Sequence, residues 1–211
     1  MSDYNREVSL EPPLALRHPT RVLMVTAVSF IFLAAAIWLF GTVTLDQRAL
    51  DAVVALATPG LVRVMKIINY GGDKLVLLPA TLALYAAFPQ SRRRWWIWLA
   101  LMIAAPTAEG LTKLALARPR PEGHGFAFPS GHVTAAAAYF GAVFYLAGTI
   151  ASTTRRRLVR VAAVSAIVLV AIARVMLRAH WPSDTLAGAA LGLALASVAA
   201  LAATAQRRAE G

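Results

Sequence analysis

The chain has 211 residues, 59% of them hydrophobic, with 21 lysines and arginines against 10 acidic residues. That length suits one domain, and so apolar a composition exceeds the soluble average and points to membrane helices. The lack of cysteine excludes a disulfide framework, a Cys-based zinc site and a thiol nucleophile. A net charge of +11 would suit nucleic acid, but the arginines cluster between apolar blocks and read as topology signals beside anionic lipid, so no nucleic-acid partner is expected.

In chain order, residues 1–21 are polar and carry Pro12, Pro13 and Pro19; they read as a cytoplasmic N-terminal segment. The first apolar block, Val22–Val43, is too long for a signal-peptide core and lacks a clear small-residue cleavage site, so it reads as a retained span. Residues 44–73 mix charges of both signs and predict an amphipathic helix on the outer surface, ending in a turn at Asn69, Gly71, Gly72 and Asp73. Five more apolar blocks follow: Lys74–Phe88, Trp95–Ala117, Val133–Ile150, Leu158–Leu177 and Thr185–Ala205. Most approach the ~20 residues that cross about 30 Å of hydrocarbon, where backbone must satisfy its own hydrogen bonds, so all are expected to be helices. The predicted fold is all-α: a six-transmembrane-helix bundle over residues 22–205, with a cytoplasmic tail at 206–211.

Arginines set the orientation. Arg6, Arg17 and Arg21 precede the first span, Arg92–Arg94 follow the second, Arg155–Arg157 and Arg160 follow the fourth, and Arg207 and Arg208 follow the sixth. In a six-span chain these clusters share one side, which the positive-inside rule makes cytoplasmic. The protein is thus expected in the plasma membrane with both termini inside. Loop 118–132 and turn 178–183 then meet at the outer membrane–water interface. Trp95, Trp96, Trp98 and Trp181 fit interfacial anchors.

Ionisable residues at membrane depth are costly and usually mark function. Three stretches concentrate them. KLALARPRP carries Lys113, Arg118 and Arg120; FPSGH carries Ser130, Gly131 and His132; ARVMLRAHWPSD carries Arg174, Arg178, His180 and Asp184. This inventory suits a phosphate. Arginine forks grip two phosphate oxygens and lysine adds a point charge. Pro129-Ser130-Gly131 leads into a helix N-terminus, where free N–H groups and the dipole favour an anion, and glycine lets that backbone approach a ligand. His180 and Asp184, four apart, share a face if the turn is helical, and Asp184 is placed to cap the last span. A neutral imidazole can attack phosphorus when a carboxylate fixes its tautomer, and a second imidazole can protonate the leaving group. The cations stabilise the charge, so no metal or other cofactor is expected.

These stretches resemble the three signatures of the type-2 phosphatidic acid phosphatase superfamily, the lipid phosphate phosphatases. The matches are Lys113…Arg120-Pro121, then Pro129-Ser130-Gly131-His132, then Arg174…His180…Asp184, in the family's order and spacing. Ala173 stands where the family usually has serine, which would remove one phosphate hydrogen bond. The resemblance is strong over spans three to six and general over the first two. It implies His180 as the nucleophile that forms a phosphohistidine, Asp184 as its orienting partner and His132 as the general acid. It implies Lys113, Arg120, Ser130, Gly131 and Arg174 as phosphate ligands. Soluble vanadium haloperoxidases are similar at this site but lack a membrane bundle.

Several residues stay outside that assignment. Arg118 and Arg178 are open between lipid headgroups and the reacting phosphate. Glu109, four residues before Lys113, is expected to form a structural ion pair with it. His124 reads as a loop bystander. The expected partners are membrane lipids and a lipid phosphate. Undecaprenyl diphosphate is the first-choice substrate on compact size, Ala/Arg-rich composition and an outward site; phosphatidate and phosphatidylglycerol phosphate are the alternatives. The competing reading is a catalytically silent protein that binds or moves phospholipids. His132, His180 and Asp184 speak against it, because headgroup binding needs no nucleophile. Vanadate-dependent halide oxidation does not suit so apolar a chain.

Overall fold

The computed structural model describes residues 14–41 and 44–209, and these are helical apart from short connections. Helix α1 (Leu14–Phe40) starts eight residues ahead of the expected Val22, carrying Pro19 within it. The segment after it forms two helices instead of one, α2 (Thr44–Val54) and α3 (Pro59–Asn69). The break is local chemistry. The Thr58 hydroxyl accepts the Leu61 N–H at 3.2 Å, and Pro59 takes the first helical position, where its missing N–H costs nothing. A single 3₁₀ turn, Tyr70–Gly72, leads into α4 (Lys74–Ala87), whose cap is the Asp73 carboxylate on Leu75 N–H.

The short α5 (Pro89–Arg92) precedes α6 (Trp95–Leu116), which ends on Ala117 in the left-handed conformation. Loop 117–130 connects to α7 (Gly131–Leu146) and its 3₁₀ extension Ala147–Thr149. Helix α8 (Thr153–Met176) starts ahead of the expected Leu158 because Ser152 caps it, which draws Arg155–Arg157 into its first turns. Helix α9 (Pro182–Ala209) opens on a proline and continues through most of the expected tail.

Among the described residues, four helices hold stretches long and apolar enough to cross a membrane: His18–Phe40, Trp95–Leu116, Thr153–Met176 and Pro182–Gln206. This is fewer than the six spans expected. With 14 and 16 residues, α4 and α7 rise only about 21 and 24 Å. Capping chemistry sets those lengths: Asp73 and Pro89 bound α4, while α7 begins at the Ser130-Gly131 turn.

Helix α7 is central, packed by α9, α8, α6 and α4, while α1 packs mainly along α9 and touches the C-terminal part of α7 through His18. Its residues Val133–Ala138 are all buried. Small residues allow the close approach, as in other membrane helix pairs. A Cβ at Gly188 of α9 would lie 2.7 Å from the Ser130 carbonyl oxygen, and one at Gly141 of α7 would lie 2.7 Å from Ala196 Cβ. The α1 side chains Met24, Val28, Ile31 and Phe32 stay exposed and form part of an apolar outer belt.

Candidate active site

A cavity of about 280 Å³ opens where α4, α6, α7, α8 and the turn before α9 meet. Lys113, Arg120, Gly131, His132, Arg174 and His180 line it. The three sequence stretches therefore converge as expected. Arg174 is held by Asn69, whose Oδ1 accepts its Nη1 at 2.9 Å. Asn69, expected in the turn before α4, thus braces a cation that lines the cavity. Gly72 serves the same junction, since a Cβ there would meet the His132 carbonyl oxygen at 2.5 Å.

Two predicted site residues sit behind the cavity wall. Ser130 is fully buried, and its N–H donates to the Asp184 carbonyl at 2.9 Å. Its own carbonyl accepts Thr134 N and Oγ1 at 2.9 and 3.0 Å, while its Oγ has no partner among the described residues. Asp184 is also fully buried. It lies inside the first turn of α9, and its Oδ2 accepts the Trp181 N–H at 2.9 Å. His180 Nδ1 stands 3.6 Å from that same oxygen. That distance is too long for a hydrogen bond, a looseness common between paired side chains in a site without bound ligand.

Arg118 resolves differently from either expected role. Its guanidinium touches neither the cavity nor lipid; it is buried between two carboxylates, with Nη1 2.5 Å from Asp184 Oδ1 and Nη2 2.6 Å from Asp46 Oδ2. Asp46 belongs to α2 and was missed by motif reasoning. Its only sequence signal is an acid in a mixed-charge segment. Ser183 joins the cluster, donating from N at 2.9 Å and from Oγ at 2.5 Å to Asp46. Arg178 instead pairs with Glu122 at 2.9 Å, both exposed, and does not line the cavity.

Glu109 forms the expected ion pair with Lys113, and both side chains line the cavity. Asp73 and Lys74 complete its charged rim. Among the described residues, no group of three or more His, Asp or Glu side chains gathers as a metal site. His124 is exposed and apart from the cavity. Ala173 is buried in an apolar cluster with Met65 and Met176. Trp95 and Trp96 are exposed as anchors would be, but Trp98 is buried, and Trp181 is buried with Nε1 on the Pro119 carbonyl at 3.0 Å.

Electrostatics favour a neutral His180. Burial pulls its pKa below the ordinary imidazole value; Asp184 opposes this, and the Arg174 and Lys113 charges add to it. A neutral imidazole beside fixed cations can act as a nucleophile toward an anionic phosphate.

Helices of membrane length thus surround a cation-lined cavity with two histidines. Residues 94–208 match the PAP2 superfamily. The curated relative phosphatidylglycerophosphatase B of Bacillus subtilis (strain 168) is 31% identical over 177 residues, spanning 79% of this chain and 87% of the relative. A crystal structure of a transmembrane PAP2-type phosphatidylglycerolphosphate phosphatase from Bacillus subtilis superposes with a TM-score of 0.74 at 26% identity, covering 90% of this chain and 96% of that one. The chain belongs to the PAP2 superfamily, as an integral membrane lipid phosphatase.

Proposed function

We propose that this protein removes the terminal phosphate of a phosphatidylglycerol-phosphate-type lipid through a phosphohistidine on His180. The observation that carries the chemistry is one cavity holding both histidines among Lys113, Arg120 and Arg174. With Nδ1 turned toward Asp184, His180 has Nε2 left to attack phosphorus. The bond from phosphorus to the lipid oxygen breaks, and His132 gives that oxygen a proton. Water, deprotonated by His132, then releases phosphate and restores His180. The Gly131 N–H at the start of α7 and the cavity cations stabilise the charge on the transferring group.

No step in this scheme draws on a metal ion. Both histidines lie near one end of the bundle, and the positive-inside reading of the arginine clusters supports an outward-facing site. The six-span topology follows if the shorter α4 and α7 also cross, shielded by their neighbours.

The substrate choice rests on the relatives named above, which favour phosphatidylglycerol phosphate over the undecaprenyl diphosphate expected from composition. The deciding experiment compares phosphate release from phosphatidylglycerol phosphate, phosphatidate and undecaprenyl diphosphate in detergent with EDTA, together with rapid-quench trapping of acid-labile phosphoenzyme. Fastest turnover of the first lipid, with a trapped label that His180→Ala abolishes, is the expected result. Label retained in His180→Ala overturns the mechanism. Activity lost to EDTA and restored by magnesium overturns metal independence.

A further inference from the structure

We infer that Asp46, on the surface helix α2, is a positioning residue for catalysis that acts through Arg118 to set the placement and charge of Asp184 behind His180. The inference rests on the phosphohistidine reading above. Its basis is a buried chain of contacts in which Asp46, outside all three signature stretches, reaches Asp184 through Arg118. Asp46, Arg118 and Asp184 are 5%, 3% and 0% exposed. Arg118 bridges the two carboxylates at 2.6 and 2.5 Å. Ser183 locks the bridge, accepting Arg118 Nη1 at 2.8 Å while donating to Asp46 at 2.5 Å.

Charge explains why the second carboxylate matters. Arg118 alone beside Asp184 would neutralise it. Two carboxylates sharing one guanidinium keep a net negative charge in the cluster. That charge is what His180 needs, because a phosphorylated imidazole protonated on Nδ1 is a cation. Lys113 from α6, Arg174 from α8 and, when protonated, His132 from α7 oppose that cation. Arg120 and Lys74 also line the cavity, and of its carboxylates Glu109 is paired with Lys113 while Asp73 caps α4. Asp184 on α9 favours the cation directly, and Asp46 keeps that carboxylate from being cancelled. Geometry adds to charge. With Oδ1 fixed by Arg118 and Oδ2 by the Trp181 N–H, the carboxylate plane cannot turn away from the imidazole.

A buried ion cluster that merely anchors α2 would lower stability and leave the chemistry of His180 alone. The test therefore reads chemistry in the full-length protein in detergent. Asp46→Asn keeps the shape and removes the charge. We expect kcat to fall about tenfold with KM within about twofold, and the acid limb of kcat/KM to move down by about half to one pH unit. In an Asp184→Asn background the same change should cost nothing further, because its route of action is gone. Full additivity in that cycle, or an unmoved acid limb in a folded Asp46→Asn protein, overturns the inference. If Asp46→Asn does not fold, Ser183→Ala takes its place. It unlocks the bridge without changing charge, and it should lose two- to threefold in kcat, again non-additively with Asp184→Asn; additivity there overturns the inference equally. His180→Ala, trapped in parallel, separates the two levels. Retained label refutes the nucleophile on which the inference stands, whereas lost label with an additive cycle refutes the role of Asp46 alone.

Discussion

Two glycines beside the cavity should respond to alanine in opposite ways. At Gly188, the added Cβ would sit 2.7 Å from the Ser130 carbonyl oxygen, 3.2 Å from Thr134 Oγ1 and 3.3 Å from Thr134 N. Two of these are backbone atoms of the turn that launches α7, so nothing can swing aside. Relief requires α9 to back away from α7 by several tenths of an ångström. Overpacking of this kind costs about 1–3 kcal/mol, while alanine gains roughly 0.5–1 kcal/mol over glycine inside a helix. The expected net loss is roughly 0–2.5 kcal/mol, centred a little above 1 kcal/mol. The same displacement moves His132, on α7, relative to His180 and Asp184 at the start of α9. Misplacement of about 1 Å can cost 10²-fold in rate, so a shift of a few tenths should cost on the order of tenfold in kcat.

At Gly131 the intruding Cβ would meet Glu109 Oε1 at 2.7 Å and Cδ at 2.9 Å. That is the far end of a flexible side chain, which can rotate away. Gly131→Ala should therefore keep wild-type stability and act on phosphate affinity, by shifting Glu109 off Lys113 and narrowing the cavity. The assay is thermal unfolding in one detergent alongside kcat and KM for both variants. A Gly188→Ala protein as stable and active as wild type refutes the rigid α7–α9 contact. Loss of folding in Gly131→Ala refutes the claim that Glu109 yields.

Glu109→Gln removes a carboxylate that would compete with an anion for Lys113, so vanadate inhibition should tighten by about tenfold or more, since unit charges within about 12 Å at an effective dielectric near 20 repel by at least about 1.4 kcal/mol; weaker inhibition would mean the carboxylate places Lys113 rather than opposing the anion. Because burial lowers the His180 pKa, the acid limb of kcat/KM, corrected for substrate ionisation, should lie below about 6.5, and protein stability should also fall as pH drops through that window, where the unfolded imidazole takes a proton the buried one refuses; an acid limb above 6.5 refutes the neutral nucleophile. In this cysteine-free chain, His124→Cys should react with an impermeant thiol reagent in intact cells and Thr154→Cys should not, both positions being exposed; the reverse pattern inverts the orientation.

How much of this was legible in the sequence depends on what each residue must touch. Lys113, Arg120, His132, Arg174 and His180 were readable because groups that line one cavity are confined to fixed offsets on a few helix ends, and because ionisable residues stand out against apolar surroundings. Helix edges were less so. Caps decide them: Ser152 starts α8 and Thr58 splits the surface segment into α2 and α3, and neither event changes the hydropathy pattern much. Ser130 carries a phosphate-ligand signature and yet turns its backbone into the α7–α9 junction, with its hydroxyl behind the cavity wall. Trp181 reads as an anchor by type and is instead clamped to Pro119 beneath Arg118.

Asp46 shows the deeper reason for the gap. A residue that touches the substrate must obey the substrate's geometry, and that leaves a spacing. A residue that supports such a residue obeys only the need for an opposite charge within reach, which any part of the folded chain can supply. Burying Arg118 beside Asp184 is favourable only if its charge and donors are met. Asp46 meets them from α2, a helix that shares no signature with the site. Arg118 thus left an ambiguous mark in the sequence because its function is to link two other residues, one of them inside a signature and the other far outside it.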